Sequence, residues 1–165
     1  MAPEIEAQRS WEYESLLDFH GDEESKRKES RLIFKKEEIK LHLSRQGASC
    51  TLVDPSLGFS SRSIKCFMQV IPPGRKSGQH RHREEAIVHI VSGNGYSIVD
   101  GKKYHWKAGD TLCVPVWAWH QHFNDDPEKP VRFLAVGNVY EMRALGYSEF
   151  EQGEDRTFTE DEASK

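Results

Sequence analysis

The sequence predicts an all-β fold, a two-sheet sandwich or barrel, preceded by a charged arm. Three observations carry that reading. From about residue 49, short runs rich in β-branched and aromatic residues recur at a spacing of roughly 8–12 residues. Glycine-, proline- and aspartate-containing turn signals separate the runs. No long helical pattern falls between them, which excludes a parallel βαβ sheet.

The elements follow in chain order. Residues 1–48 read as a charged, partly helical arm. Trp11, Leu16, Leu17 and Phe19 form the apolar side of a short helix, and Leu32–Phe34 form a second packing segment. Residues 49–140 read as the β-domain. Its runs are S-I-K-C-F-M-Q-V-I before P-P-G, A-I-V-H-I-V before S-G-N-G, and Y-S-I-V before D-G. K-Y-H-W, T-L-C-V-P-V and V-R-F-L-A-V complete the set. Asp100-Gly101 is a hairpin signal, because both central positions of the tight turn take positive φ. Residues 141–165 read as a short helix over 141–147 and an acidic mobile tail.

Composition bounds the function. At 165 residues the chain can bury one real core. It is 36% hydrophobic and 30% charged, polar enough that part of it lies outside that core. The net charge of −4 comes with no basic stripe, so a nucleic-acid partner is not expected. No apolar run reaches membrane-span length, and M-A-P-E-I-E-A-Q carries no apolar signal core. Cys50, Cys66 and Cys113 are scattered and lack CxxC spacing, which points to reduced thiols in the cytoplasm.

The chemistry lies in G-Q-H-R-H-R-E-E, residues 78–85. On a strand, residues i and i+2 share a face about 6.5–7 Å apart. His80 and His82 then point the same way and can close on one metal ion. For the pair taken alone, the bland reading of two surface histidines in a polar turn outweighs the metal one.

The wider spacing decides between them. Gly74 or Gly78, His80, His82 and Gly93 follow one block. G-D-T-L-C-V-P-V-W-A-W-H-Q-H-F-N, residues 109–124, follows another. Together they resemble the two motifs of the cupin superfamily, and the resemblance covers about residues 60–140. It implies a double-stranded β-helix, or jelly-roll, barrel with a metal inside. The ligand positions it implies are His80, His82 and His120. Ala86 stands where the family's glutamate is expected. Glu85 is a candidate fourth ligand if a bulge shifts the register; Glu84 has the right parity but sits close to His82. Trp117 replaces the second motif's glycine.

P-V-W-A-W-H-Q-H-F-N after H-R-H is similar to the gentisate dioxygenase group of ring-cleaving cupins. That resemblance implies Fe(II) held by three histidines without a carboxylate, with Mn(II), Ni(II) or Zn(II) as other ions the imidazoles accept. The group's substrate-gripping arginine has no counterpart here, because Val88 occupies its position. The expected function is an Fe(II)-dependent dioxygenase that cleaves a carbon–carbon bond of a chelating aromatic or enolic molecule. The expected partners are that small molecule, dioxygen and a second copy of the chain, since the resemblance also implies a homodimer. Ala86, Val88 and Ile90 are expected to wall the pocket. Two other functions stay open: a non-redox isomerase, lyase or decarboxylase, and a cupin that binds a small molecule without catalysis.

Three more residues are candidates for catalysis. His122 shares a face with His120 and is either an acid/base group or a filler of the barrel mouth. Trp117 and Trp119 either line the pocket with indole N–H groups or pack elsewhere. Gln79 and Gln121 read as structural, His89 as an outer-face residue. His20, His42 and His105 carry no site pattern.

Overall fold

The computed structural model describes residues 23–163. Residues 23–29 are helical, with Lys28 and Glu24 paired one turn apart at 2.8 Å. The strands are β1 (His42–Leu43), β2 (Ala48–Val53), β3 (Lys65–Ile71), β4 (His80–His82), β5 (Ala86–Ser92) and β6 (Asn94–Val99). β7 (Lys102–Lys107), β8 (Thr111–Val114), β9 (His120–Asn124), β10 (Val131–Gly137) and β11 (Phe150–Gln152) follow. Two short helices, α1 (Val139–Ala144) and α2 (Glu160–Ala163), close the described chain. No helix among the described residues is long and apolar enough to cross a membrane.

The strands form two antiparallel sheets, β1-β2-β3-β10-β5-β8 and β11-β4-β9-β6-β7. The fold is thus the expected all-β jelly roll, with the difference that the two sheets do not close into one hydrogen-bonded barrel. Alternation produces this arrangement. In β5, Val88 and Ile90 point into the core while Ile87, His89 and Val91 are exposed. In β7 only Trp106 turns inward; the exposed lysines suit the edge strand of its sheet. The core itself gathers Ile71, Val88, Ile90, Val114, Val131 and Phe133.

Turn chemistry sets the register. Asp100 (φ 46°) and Gly101 (φ 78°) join β6 to β7 in the predicted two-residue hairpin, with Val99 opposite Lys102. Gly95 is required for a different reason. A Cβ there would meet the Phe123 carbonyl and the Trp106 ring, so β6 could not approach β9 as closely. Asn124, the motif asparagine, is a structural clamp: its amide donates to the carbonyls of Ile71 and Pro72 at 3.0 Å and Lys129 at 2.8 Å.

Both ends of the β-domain differ from expectation. Within the arm expected over 1–48, β1 and the first residue of β2 already belong to the six-stranded sheet, and Leu41 and Leu43 pack on the core. Leu32 and Ile33 are exposed, so Phe34 is the engaged member of its segment. The Arg31 guanidinium lies 5.0 Å from the Phe34 ring and 5.1 Å from the Phe59 ring. The helix expected around Trp11, Leu16, Leu17 and Phe19 lies outside the described residues.

The expected mobile tail is docked: β11 adds to the ligand-bearing β4, while Phe158 and Ala163 are buried in the core. Its acidic residues meet cations of the body, in the pairs Arg45–Asp155 (2.7 Å), Lys76–Glu154 (2.5 Å) and Arg75–Glu162 (2.5 Å). The expected helix falls at Val139–Ala144, slightly earlier than predicted. Tyr140 anchors it by donating its hydroxyl to Asp54.

Candidate metal centre

The site stands on β4 and β9, which pair through His80 and His120. His82 lies two residues along β4, on the same face. The ligand atoms of His80, His82 and His120 all lie within 4.8 Å of one another. Ring centroids are separated by 4.1 Å (His80–His120), 4.9 Å (His82–His120) and 5.5 Å (His80–His82).

Backbone carbonyls orient all three rings. The Nδ1–H groups of His80, His82 and His120 donate to the carbonyls of Gly78 (3.2 Å), Glu84 (2.8 Å) and Ala118 (2.9 Å). A carbonyl only accepts, so the proton sits on Nδ1 and the Nε2 lone pair is left free. Burial, and next the neighbouring His120, push the His80 pKa down to about 2. Burial pushes His120 down to about 4, against its bond to the Ala118 carbonyl. At neutral pH these are uncharged imidazoles with an aligned lone pair, the form that binds a metal. The donor set fits a divalent ion that favours imidazole: iron, nickel, copper or zinc.

His122 is built differently. Burial holds its pKa down at about 3. The Trp106 indole N–H donates to Ser97 Oγ at 2.8 Å, and Ser97 Oγ lies 2.7 Å from His122 Nδ1. Ser97 Oγ thus bridges the indole and His122 Nδ1, and holds that ring nitrogen by a side chain where the other three histidines use a backbone carbonyl. The His122 ring stands edge-on to Phe133 at 5.0 Å and 5.8 Å from His120. Full burial closes it to solvent. Ser97 and Trp106 escaped the sequence reading because they reach His122 only through the β6–β9 and β6–β7 registers.

The carboxylates separate as well. The structure does not bring Glu85 to the cluster. The bulge it would need is absent: Ala86, Ile87 and Val88 pair with Val114, Cys113 and Leu112 without a shift. Glu85 is exposed, and its backbone N–H donates to Asn138 Oδ1 at 2.9 Å. Glu84 is the buried one. It accepts from Ser148 Oγ at 2.6 Å, and its other oxygen lies 3.8 Å from His82 Nδ1. It stands behind His82, on the ring nitrogen that faces away from the cluster.

Trp117 and Trp119 are not brought to the pocket either. Both lie instead against Arg81, which alternates with His80 and His82 along β4 and so points to the opposite face. The Arg81 and Arg83 guanidinium groups lie 4.4 and 4.6 Å from the Trp117 ring, and Arg81 lies 4.8 Å from Trp119. Trp117 has φ 63°, which explains why its motif position favours glycine. A non-glycine residue in this conformation costs about 1–2 kcal/mol. Trp117→Ala keeps that strain and loses both cation–π contacts; Trp117→Gly loses the contacts but relieves the strain. Urea unfolding should therefore find Trp117→Ala less stable than Trp117→Gly by about 1 kcal/mol.

A cavity of about 250 Å³ opens beside the triad. His80, His82, Glu84, Phe67, Phe150 and Arg143 are among its walls. An apolar cavity of about 150 Å³ takes benzene, so this one has room for a single substituted ring. Ala86 lines it, whereas Val88 and Ile90, expected beside it, sit deeper in the core. Phe150 of β11 stacks on His80 at 5.5 Å. A wider hollow of about 540 Å³, near residues 55–62, is an open groove without a histidine. Gln121 is structural as predicted, donating to the Ser77 carbonyl at 2.9 Å. His89 is exposed beside Thr111, and His105 and Tyr104 are exposed away from the cavity.

Acid should unfold the protein through these rings. Unfolded imidazoles titrate near 6.5, whereas His80, His120 and His122 stay neutral in the fold to about 2, 4 and 3. Between those limits the unfolded chain binds more protons, so stability is full above pH 6.5 and is lost as pH falls. Near pH 5 the difference is about two to three protons, a slope of about 3–4 kcal/mol per pH unit. Urea midpoints of metal-free protein between pH 7 and pH 5 read it directly.

Known proteins place this geometry. A family profile described as "Cupin domain" matches residues 67–137. The chain is 32% identical over 84 residues to a 5-aminosalicylate 1,2-dioxygenase from Comamonas sp, covering 51% of this chain and 22% of the relative. It is 38% identical over 87 residues to a gentisate 1,2-dioxygenase from Aquipseudomonas alcaligenes, covering 50% of this chain and 25% of the relative. The solved salicylate 1,2-dioxygenase from Pseudaminobacter salicylatoxidans superposes with a TM-score of 0.57 at 27% identity, over 65% of this chain and 32% of that one. The chain thus spans about a quarter of the length of the two curated relatives. Sequence motifs, jelly-roll fold and three-histidine cluster agree, and this chain carries a cupin domain that resembles the gentisate dioxygenase group.

Proposed function

We propose that the protein is an Fe(II)-dependent dioxygenase that cleaves a carbon–carbon bond of a small chelating substrate, either a single aromatic ring or an enolic compound. The convergence of three imidazoles, each with Nδ1 tied to a backbone carbonyl, carries this reading. Relatives named as 5-aminosalicylate and gentisate 1,2-dioxygenases support the reaction class. A divalent ion in this setting supplies a Lewis-acidic centre and, if iron, a centre that passes electrons between substrate and dioxygen.

The chain's own residues do the rest. His80, His82 and His120 fix one face and leave the opposite side to substrate. Phe67, Ala86 and Ala135 exclude water from the cavity. Phe150 offers a flat wall beside His80. Glu84 buttresses His82, with its own carboxylate held by Ser148. His122, neutral and buried, packs beside His120 and steadies its strand. Three unpaired cysteines among the described residues suit a reducing, cytoplasmic setting.

The test is anaerobic loading with Fe(II), then oxygen, across a panel of ortho-hydroxy acids, catechols and β-diketones. Oxygen should disappear one-for-one with substrate, with ring-opened or chain-cleaved product. Turnover under strict anaerobiosis with Zn(II) or Mn(II) would instead select the non-redox enzyme. Metal-dependent binding without turnover would select the binding protein.

A further inference from the structure

We propose that the cavity holds a second recognition point: an anion site formed by Arg143, with Lys65 beside it. The substrate is then a chelator that carries a further carboxylate, or a like-charged group, on the side away from its chelating oxygens. This rests on the reading of the cavity as the active site and names the substrate class that the site takes.

Val88, on β5, is buried in the core and does not line the cavity. Two cations line the cavity, from elements that carry none of the triad: Lys65 on β3 and Arg143 on α1. They are not equivalent. Lys65 Nζ lies 3.8 Å from the buried Asp54 carboxylate, so part of its charge is already answered. Arg143 makes no ion pair among the described residues; its nearest recorded aromatic neighbour is the Tyr140 ring, 5.8 Å from Cζ. An exposed arginine without a carboxylate is ordinary on a surface. Here its element is fastened at the cavity wall, which is not ordinary.

Three bonds fasten it. The Tyr140 hydroxyl donates to Asp54, the Tyr140 N–H donates to the Ser63 carbonyl at 3.0 Å, and Asn138 Oδ1 accepts the Glu85 N–H at 2.9 Å. α1 therefore presents Arg143 to the cavity without a loop closure, and only side-chain rotamers remain to be ordered. A guanidinium offers paired N–H donors that match a carboxylate, so one anionic group can be held bidentately.

The lining acids orient the substrate. Glu84, tied by Ser148 behind His82, and Glu85 both line the cavity and disfavour an anion on their side. The anion is accepted at Arg143 while the chelating oxygens face the histidines.

Catechol and 3,4-dihydroxybenzoate test this as a matched pair, since both chelate through the same diol and one adds a carboxylate. Each is titrated calorimetrically into Zn(II)-loaded protein. Wild type should bind the acid more tightly than catechol. In Arg143→Ala the ratio of the two affinities should fall about tenfold, the scale of one charge-assisted hydrogen-bonded contact. Arg143→Lys should recover part of that ratio, which a merely structural role would not do.

An acid that binds no better than catechol overturns the anion site. So does an Arg143→Ala variant whose affinity ratio is unmoved. Catechol binding to wild type, with and without the metal, reads the metal centre independently. Metal-dependent catechol binding with an unmoved ratio removes Arg143 and leaves the dioxygenase reading standing. If neither compound binds, the anion site falls, and the oxygen-uptake panel decides the fate of the reading beneath it.

Discussion

Replacing His80, His82 or His120 by alanine should weaken divalent-metal binding by a factor on the order of 100 or more in each case, and abolish the proposed turnover. Loss of a partner behind a ligand alone typically lowers metal affinity by about 10–100-fold, so loss of the ligand itself sets the lower bound there. Folding should survive. Each ring is bonded to a single carbonyl, and its removal leaves one unsatisfied acceptor, a loss of about 1–3 kcal/mol. Equilibrium dialysis with Zn(II), read beside urea unfolding, separates the two effects. His89→Ala is the control, because that ring is exposed and bonded only to Thr111. A triple-histidine site that keeps its affinity after any one of these changes is not the metal site.

Phe158→Ala should destabilise the protein by about 3–5 kcal/mol, the usual effect of emptying a buried aromatic site. Phe158 is 3% exposed and belongs to the core. The ion pairs around it lie at the surface, and such pairs contribute about 0–1 kcal/mol each. The buried ring is therefore what docks the C-terminal segment. Docking reaches the site through β11, which flanks β4 and is laced to it by Arg81–Glu151 and Arg83–Glu149, both at 2.6 Å. Beyond the loss of stability, Phe158→Ala should lower metal affinity under conditions where the core stays folded. A change below about 1 kcal/mol would mean that the segment is held by charge alone.

The two halves of the site differed in how legible they were. His80 and His82 were readable because strand parity is a local rule, and the same rule put Ala86 and Val88 inward and Ile87 and His89 outward. The turn at Asp100-Gly101 was readable for a similar reason, since its φ values are demanded by the dipeptide itself. Trp117 was visible as a departure, but its orientation was not. Its left-handed φ turns the ring outward onto Arg81 and Arg83, a consequence of tertiary pairing.

What escaped the sequence was non-local. Ser97 meets His122 only through the β6–β9 register, and Trp106 meets Ser97 across a second strand pair. The C-terminal segment looked mobile because its composition is acidic. Phe158 and Ala163 are few in number, yet they are placed where the core has room, and Arg45, Arg75 and Lys76 receive the acids. Composition averages such residues away. Glu84 and Glu85 show the same limit: adjacent in sequence, one is buried behind His82 and the other is exposed, because β5 begins at Ala86 in unbroken register.

X-ray absorption at the metal edge of Zn(II)- or Fe(II)-loaded protein tests the central claim most directly. The account predicts one ion per chain, with three imidazole nitrogens at about 2.0–2.2 Å and lighter oxygen donors completing the shell. A shell with sulfur, with one imidazole or none, or unchanged by His120→Ala would contradict it.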